Sequence, residues 1–482
     1  MPELLDSPVW RRIVLAFIVL LFAITNLPWT LDDYDQAKQA YTSFEMVRQG
    51  HWLYQHTPNE NVATKPPLIG WISAAIFEVT RWWEGAWRLP SLGAALLLLW
   101  LIARDAAAAY GGGAGLIALS AFGLNLLSPR LATLVRTDMP LALVTYLIGA
   151  QIWWKIRRAE IWTARDRWLA FLLLTAAMLI KGPIVYAFVL PGLIVYEMLR
   201  RRKGVAPAAW SGWWPWIFSL AVFLLWVWGG VVRQPGFYES VVVREFAGRF
   251  TETFHKPQPF YFYLPHLLHK FLPWSALLIG LAIFFWRRRE QLSLRMQPDT
   301  VWLVCWSIGG LILMSLIPSK RVDRIFPVVP PLCLLAGAQV AAAFRAERWR
   351  KSVAPWLRYA LVFACLFTGG YAAWKIGSAG RENSDVLARF SAKVRREAVQ
   401  HHWRYEVVGG REEGMLLYLR RDHFLLPNDA VEQWKSGRLD ALVVRDEPAQ
   451  PWLEMLTGAE LRLVSGQGKG LPRYSLFVRS RR

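Results

Sequence analysis

Acidic and basic side chains are concentrated in the polar stretches that interrupt an otherwise apolar chain. The first such stretch, residues 31–69, opens with Asp32, Asp33 and Asp35 and closes on Lys65 followed by two prolines. A carboxylate can remove a proton from an attacking hydroxyl, and a fixed cation can hold a phosphate. The residue types of this stretch therefore suit base-assisted attack beside a bound phosphate group.

The later polar stretches add a further carboxylate and further cations, together with a histidine and two tyrosines. A few carboxylates among many cations suit a site that holds a phosphate and uses a carboxylate as a base. No Walker-type glycine loop accompanies them, which is consistent with a donor that is not a nucleotide. The added residues are Arg130, Arg136, Asp138, Lys181, Arg249, His255, Lys256, Tyr261, Tyr263, Lys320, Arg321 and Arg324.

The composition is that of a multi-pass membrane protein. Of the 482 residues, 55% are hydrophobic and only 19% are charged. Apolar runs of about 18 or more residues recur, and each can cross roughly 30 Å of hydrocarbon. We expect an all-α core of about eleven to thirteen transmembrane helices. The predicted centres lie near Val19, Leu97, Ala118, Val144, Leu173, Phe188, Leu220, Leu278, Leu311, Leu334 and Leu361.

The distribution of positive charge sets the expected topology. The net charge is +21, and its basic clusters separate apolar runs, as is typical of cytoplasmic loops. With Arg11 and Arg12 also in the cytoplasm, every stretch that carries candidate site residues lies outside. Anionic membrane lipids are the expected partners of the clusters, and nucleic acid is not. The clusters are Lys155–Arg158, Arg200–Lys203, Arg287–Arg289 and Arg345–Lys351.

The candidate residues of the first polar stretch surround a predicted helix. Gly50 is a natural stop for this helix. We expect the helix to be amphipathic and to lie on the membrane surface. Its apolar residues recur at three- and four-residue spacing, at Ala37, Ala40, Tyr41, Phe44 and Val47.

A change of composition after about Ala379 sets the expected domain division. We expect a transmembrane catalytic domain over residues 1–379, with outer loops at residues 31–88 and 231–270. Residues 380–482 are expected to form a small α/β domain outside the membrane. Its predicted strands are Tyr405–Val408, Ala441–Val444 and Tyr474–Val478, and its predicted helices are Ser384–Gln400 and Ala430–Ser436.

Cysteine and histidine positions give little indication of a metal site. The three cysteines lie inside apolar runs, and their spacing suggests neither a metal site nor a disulfide framework. His266 and His269 share a helix face, and His255 precedes them, but no carboxylate has ligand-like spacing. We assign no metal ligand and no cofactor, and a divalent metal stays an open alternative.

An ordered set of motifs in residues 10–344 resembles the GT-C membrane glycosyltransferases. The similarity is to the branch that uses polyprenyl-phosphate sugars, which includes the dolichyl-phosphate-mannose protein mannosyltransferases and the bacterial lipid A aminoarabinose transferase. One departure is Gln36, where the family has a glutamate after the first acid, and Asp32 and Asp33 offer rival alignments to Asp35. The motifs are Asp35-Gln36, Glu45-Met46, Lys65-Pro66-Pro67-Leu68, Asp138-Met139-Pro140-Leu141, Lys181-Gly182-Pro183, His255-Lys256-Pro257 and Ser319-Lys320, followed by Pro327 and Pro330-Pro331.

The resemblance implies an inverting glycosyltransferase in a bacterial-type inner membrane. It moves a sugar from polyprenyl phosphate to an acceptor hydroxyl or phosphate of lipid A, another glycolipid or glycan, or protein, at the outer face. Asp35 is the expected general base, and Asp138 the second catalytic carboxylate. The expected phosphate-binding residues are Lys65, Arg249, Lys320 and Arg321, and the secondary candidates are Asp33, Lys181, His255 and Tyr261.

Each candidate also has a structural interpretation. The three acids before the helix can cap it, and Lys65 can be a solvated loop residue. Asp138 can cap its own helix or pair with Arg136, and the other outer arginines can anchor lipid headgroups. Tyr261 belongs to an aromatic run that suits an interfacial belt. At the level of function, the rival classes are a transferase with an oligosaccharyl diphosphate donor, a lipid-glycan flippase, and a membrane-anchored scaffold.

Overall fold

The computed structural model describes most of the chain. The described residues are 8–58, 62–203, 208–249, 257–287, 297–345, 347–410, 412–446 and 452–480, without the side chains of residues 8, 203, 249 and 347–352.

Helices dominate the described residues, and each of the eleven predicted span centres lies in one of them. The α-helices of the first half are Pro8–Ile24, Tyr34–Gln49, Leu68–Thr80, Leu89–Tyr110, Gly112–Gly123, Ser128–Ala132, Asp138–Arg158, Ala164–Lys181, Ile184–Lys203 and Trp214–Arg233. Those of the second half are Tyr263–Lys270, Trp274–Arg287, Pro298–Leu316, Val329–Arg345, Glu347–Arg381, Val386–Gln400, Glu413–Leu419, Pro427–Lys435 and Trp452–Met455. A π-helix covers Tyr238–Phe246, and 3-10 helices cover Ala86–Arg88, Ala247–Arg249 and Val322–Val328.

The membrane assignment is confirmed for several of these helices. Among the described residues, five helical segments are long and apolar enough to cross a bilayer. A sixth is possible if the pair Tyr263–Lys270 and Trp274–Arg287, bent by 101°, forms one span. The chain is therefore a membrane protein, and the count of eleven to thirteen spans stays a prediction. The five segments are Ala86–Tyr110, Trp214–Arg233, Pro298–Leu316, Val322–Arg345 and Val353–Arg381.

The chain divides into two compact units, and the division separates the two ends of the first polar stretch. We call them the membrane unit and the C-terminal unit. The membrane unit comprises Met1–Thr25, Thr64–Ile69 and Pro90–Ala372. The C-terminal unit comprises Asn26–Ala63, Gly70–Leu89 and Ala373–Arg482, so it includes most of the first polar stretch and not only the residues after 380.

Glycines bring two helices of the membrane unit into backbone contact. A Cβ atom on Gly309 would lie 2.5 Å from the backbone nitrogen of Gly192, and one on Gly192 would lie 2.7 Å from the carbonyl oxygen of Cys305. Small residues permit this approach, which lets membrane helices gain van der Waals contact where the lipid supplies no hydrophobic driving force. The helices Ile184–Lys203 and Pro298–Leu316 therefore form one tightly packed pair.

The C-terminal unit contains a four-stranded mixed sheet, as the α/β prediction requires. Strands β1 (Tyr405–Val408), β2 (Ala441–Arg445), β3 (Ala459–Val464) and β4 (Tyr474–Arg479) lie in the order β1-β2-β4-β3. The β1–β2 pair is parallel, and β4 is antiparallel to both of its neighbours. The three predicted strands are confirmed. The sequence did not indicate β3, because all six of its residues are partly or fully exposed and it lacks the apolar run of a buried strand.

The predicted helix of the first polar stretch is also confirmed, with a different environment. It spans Tyr34–Gln49 and ends at Gly50, whose φ of 83° is the left-handed conformation that glycine adopts readily. Gln39, Ser43 and Glu45 are buried along with the apolar side chains, and the helix packs against Glu413–Leu419. It is therefore an internal helix of the C-terminal unit, since a surface amphipathic helix would leave its polar face exposed.

The glycine contact predicts opposite effects for two similar substitutions. Gly309→Ala should destabilise the protein by roughly 1–3 kcal/mol, because the added methyl group meets backbone that cannot rotate away. Gly280→Ala is the matched control, since a Cβ atom there meets nothing within 4 Å and alanine favours a helix. Melting temperatures of both variants in detergent test this, and equal melting temperatures would contradict the packing argument.

Candidate functional site

Lys65 forms an ion pair with a residue distant in the sequence. Its Nζ donates to Oε1 of Glu245 at 2.5 Å, and the side chains are 35% and 18% exposed. Lys65 stands before Pro66 and Pro67, whose fixed φ angles restrict the backbone that carries it. Glu245 lies in the π-helix Tyr238–Phe246. The predicted phosphate-binding lysine is therefore a positioned cation with solvent access and a counter-ion.

Asp138 and Lys181 form a buried ion pair in the membrane unit. Asp138 opens the helix Asp138–Arg158, and Lys181 ends the helix Ala164–Lys181, so the two helix ends place the charges together. The two side chains are only 9% and 8% exposed. Gly182 follows with a positive φ of +73°, and a Cβ atom there would meet the ring of Phe246 at 2.9 Å. This close packing holds Lys181 at its helix end.

Other cations are electrostatically coupled to this pair. Lys65 and Arg324 lie close enough to repel Lys181. Arg136 and Arg324 lie close enough to attract Asp138. We call Lys65, Arg136, Lys181 and Arg324, together with Asp138, the cationic cluster. Two of these cations also pair with carboxylates outside the cluster, Lys65 with Glu245 and Arg136 with Asp323. The four cations still outnumber the three carboxylates, which favours binding of a further anion.

Asp323 holds two arginines beside the cationic cluster. Arg130 donates to both of its carboxylate oxygens, at 2.5 and 3.2 Å, and Arg136 donates to Oδ2 at 3.1 Å. Asp323 is 5% exposed and lies in the 3-10 helix Val322–Val328. Because planar guanidinium groups bind a carboxylate through several fixed hydrogen bonds, Asp323 orients Arg130 and Arg136.

The side chains of Lys320 and Arg324, in the last of the polar stretches, donate hydrogen bonds mainly to backbone carbonyl groups. Lys320 Nζ donates to the carbonyl oxygen of Gln258 at 3.0 Å, and Arg324 donates to the backbone carbonyl and hydroxyl oxygens of Ser319 at 2.8 and 3.0 Å. Arg321 and Tyr261 are exposed. Of the remaining candidates, the side chain of Arg249 and the whole of His255 lie outside the described residues. Their predicted roles stay predictions.

The three acids of the first polar stretch have different environments in the C-terminal unit. Asp33 is the N-cap of the helix Tyr34–Gln49 and accepts from the backbone N–H of Gln36 at 3.2 Å, as the capping interpretation predicts. Burial raises the pKa of Asp32 to about 7, against the opposing hydrogen bond from Tyr418. Asp35 lies in the first turn of the helix and is partly exposed. Asp33 therefore has a structural role as the helix cap, and its role as an alternative base stays a prediction.

Two carboxylates of the site were missed by the sequence analysis. Glu245 is separated from Lys65 by 180 residues, and Asp323 from Arg130 by 193. Each is an acid beside a basic residue in a polar stretch, with Arg244 before Glu245 and Arg324 after Asp323. The signal that could have identified them is an acid inside a basic segment. Such an acid can pair with cations from other segments that pack against it.

The buried ion pair predicts a specific pattern of stability. Lys181→Met should destabilise the protein by roughly 3–5 kcal/mol, because it leaves the Asp138 charge buried without its cation. The double variant Lys181→Met, Asp138→Leu should recover much of this loss, since no uncompensated charge remains. Arg81→Met provides the control, because Arg81 pairs with Glu78 on the surface, where both side chains are more than half exposed. Thermal unfolding in detergent measures all three, and a double variant as unstable as Lys181→Met would contradict the argument.

Comparison with known sequences finds arabinosyl transferases among the relatives of this chain. The chain is 27% identical over 355 residues to an undecaprenyl phosphate-alpha-4-amino-4-deoxy-L-arabinose arabinosyl transferase of Sodalis glossinidius, which covers 68% of this chain and 58% of the relative. It is 26% identical over 391 residues to the enzyme of that name from Pectobacterium carotovorum, covering 76% of this chain and 65% of the relative. The matched region thus spans less than two thirds of these relatives. No family model matches the chain.

Comparison with solved structures identifies the fold. ArnT from Cupriavidus metallidurans bound to undecaprenyl phosphate superposes with a TM-score of 0.68 at 19% identity, covering 98% of both chains. The archaeal oligosaccharyltransferase AglB from Archaeoglobus fulgidus superposes with a TM-score of 0.52 at 11% identity, covering 90% of this chain and 69% of AglB. The resemblance that the motifs indicated is confirmed in both comparisons, and the chain has the GT-C fold.

Proposed function

We propose that the protein transfers a sugar from a polyprenyl phosphate donor to an acceptor on the periplasmic side of a bacterial inner membrane. The donor is undecaprenyl phosphate carrying an aminoarabinose-type sugar, which is the donor that the names of the sequence relatives carry. The acceptor is a hydroxyl or phosphate group of a glycolipid, with lipid A as the first to test. The N-terminus is cytoplasmic, and the residues after 380 are periplasmic.

The single observation that carries this proposal is the cationic cluster of the membrane unit. Its four cations come from four separate polar stretches of an otherwise apolar chain, and Lys65 and Arg324 act on Lys181 while Arg136 and Arg324 act on Asp138. A lipid phosphate presents a compact anion at the membrane surface, and several fixed cations are the group that binds it best. The GT-C fold shared with a protein solved with undecaprenyl phosphate is consistent with that ligand.

Lys65 is the cation that we assign to the reacting phosphate. Its partner Glu245 is a carboxylate in a partly exposed pair, so a phosphate oxygen can replace it at little desolvation cost. Lys320, Arg321 and Arg249 are further candidates for the same phosphate, and Lys181 supports it from the buried pair. The leaving polyprenyl phosphate is already a stable anion, so cations assist its departure more than a general acid would.

Asp35 is the proposed general base. The acceptor hydroxyl attacks the anomeric carbon, its proton passes to the carboxylate, and the bond from that carbon to the donor phosphate oxygen breaks. A single displacement of this kind inverts the anomeric centre. Base assistance contributes roughly 10²–10⁴-fold to the rate. Asp138 stays a candidate for the second catalytic carboxylate, and its pairing with Lys181 supports a role in positioning that cation.

A flippase is the proposal from a different class, and the sequence relatives do not favour it. Both classes would bind a polyprenyl-phosphate sugar, but only a transferase breaks the bond between sugar and phosphate. Release of undecaprenyl phosphate from the donor, by purified protein with lipid A as acceptor, therefore separates the two. Movement of intact donor between leaflets of a vesicle, without release, would replace the transferase proposal.

The assignment of the base predicts different results for two neighbouring acids. Asp35→Asn should lower the turnover number about 10²–10⁴-fold, with donor affinity unchanged, because the amide cannot accept the proton. Asp33→Asn is the matched control: asparagine caps a helix as well as aspartate does, so this variant should keep wild-type activity. Initial rates of undecaprenyl phosphate release measure both. Full activity in Asp35→Asn, or loss in Asp33→Asn alone, would transfer the role to Asp33.

If the donor phosphate replaces Glu245 as the partner of Lys65, substitutions of these two residues should change donor affinity in opposite directions. Lys65→Gln should weaken binding of undecaprenyl phosphate by tenfold or more, since it removes a charge-assisted contact worth roughly 1.5–3 kcal/mol. Glu245→Gln should strengthen it, because the competing carboxylate is gone while the shape is kept. Equilibrium binding of undecaprenyl phosphate to both variants in detergent tests this. Weaker binding by Glu245→Gln would show that Glu245 positions Lys65 instead of competing for it.

A further inference from the structure

Glu45, His51 and His56, three side chains of types that bind metals, lie close together in the C-terminal unit. The proposed transfer mechanism gives them no role. The Nδ1 atom of His51 contacts Oε1 of Glu45, and Nδ1 of His56 lies 4.0 Å from the same oxygen. One ligand atom from each of the three residues lies within 4.8 Å of the other two. The described residues contain no other group of three such side chains at this spacing.

Local structure brings these side chains together. Glu45 lies in the last turns of the helix Tyr34–Gln49, and the left-handed Gly50 turns the chain back so that His51 reaches it. The backbone N–H of His56 approaches Oε2 of Glu45 at 3.5 Å. A bridge between His56 and Val62 fixes the returning segment. The cluster is therefore built by a helix, a turn and a bridged loop, and not by chance contacts of mobile surface chains.

The donor set matches the preferences of one class of ion. Neutral imidazole nitrogens and a carboxylate oxygen are ligands of Zn²⁺ and related divalent transition metals. Bond lengths of about 2.0–2.2 Å place tetrahedral ligand atoms about 3.3–3.6 Å apart, which small side-chain rotations reach from the present spacing. Three protein ligands leave a fourth position, and His51, whose side chain is 44% exposed, lies at the solvent side of the cluster.

The environment of Glu45 also favours a cation. Its side chain is only 1% exposed, so its ionised form needs a compensating charge. A half-exposed histidine supplies one positive charge only when it is protonated. A divalent ion supplies two, and it binds both imidazoles in their neutral form.

We propose that Glu45, His51 and His56 bind a divalent transition-metal ion of the Zn²⁺ class. The ion links the end of the helix Tyr34–Gln49 to the loop that follows, so its role is to fix that loop. The proposal does not rest on the proposed transferase activity, because metal content is measured directly. It also differs from the His255, His266 and His269 alternative, of which His255 lies outside the described residues.

The test measures metal in the purified full-length protein after removal of any affinity tag. The protein in detergent is treated with a chelator, reloaded with Zn²⁺ and desalted, and bound zinc is determined by atomic emission. We expect about one Zn²⁺ per chain in the wild type and at least a fivefold lower content in His51→Ala. His423→Ala is the matched control, since His423 is 49% exposed and also contacts a carboxylate, that of Asp422, in the same unit. It should keep the wild-type content.

A second variant keeps the test decisive if His51→Ala folds poorly. His51→Cys retains a ligand of a different kind, so Co²⁺ bound to it should gain a thiolate charge-transfer band that Co²⁺ in the wild type lacks. Zn²⁺ should also raise the melting temperature of the wild type and His423→Ala, but not that of His51→Ala. Wild type without bound metal, equal zinc in His51→Ala, or Co²⁺ in His51→Cys without the thiolate band would each overturn the proposal.

Discussion

Charge burial in an apolar bundle is the constraint on which the candidate site depends. An isolated ammonium or carboxylate removed from water costs several kcal/mol, so a charge that enters the bundle must bring a partner. Asp138 and Lys181 meet this requirement for each other, and Asp323 meets it for Arg130 and Arg136. The pairs fix the directions of the helix ends that carry them, and the cations in excess of the carboxylates leave the site prepared for another anion.

The same constraint explains why the first polar stretch is ordered. The helix Tyr34–Gln49 buries polar side chains together with apolar ones, and polar atoms buried without partners would destabilise it. Its start is capped by Asp33, and Tyr41 donates to the backbone carbonyl of Asp422 in the same unit. Arg88 donates to the carbonyl oxygen of Thr30 at 2.8 Å, just before the helix. A stretch that resembles a loop in composition is therefore a packed element.

Sequence patterns identified the local elements and failed at long-range pairing, for a physical reason. Periodicity and turn residues act within a few positions, which is why the helix ending at Gly50 and strands β1, β2 and β4 were predicted with nearly correct bounds. The partners of Lys65 and Asp138 depend instead on how helix ends meet in the folded bundle. The sequence offered Arg136 as the partner of Asp138, and the fold places Lys181 there because the ends of two neighbouring helices coincide.

Exposure distinguishes two kinds of counter-ion in the membrane unit. The Asp138–Lys181 pair is less than a tenth exposed on either side, so exchanging either member for a ligand would first bring water or an uncompensated charge into the bundle. The Lys65–Glu245 pair is 35% and 18% exposed, and its members can separate with water present to solvate them. The buried pair is therefore suited to holding the geometry. The exposed pair is suited to opening when an anion with more negative charge than a carboxylate arrives.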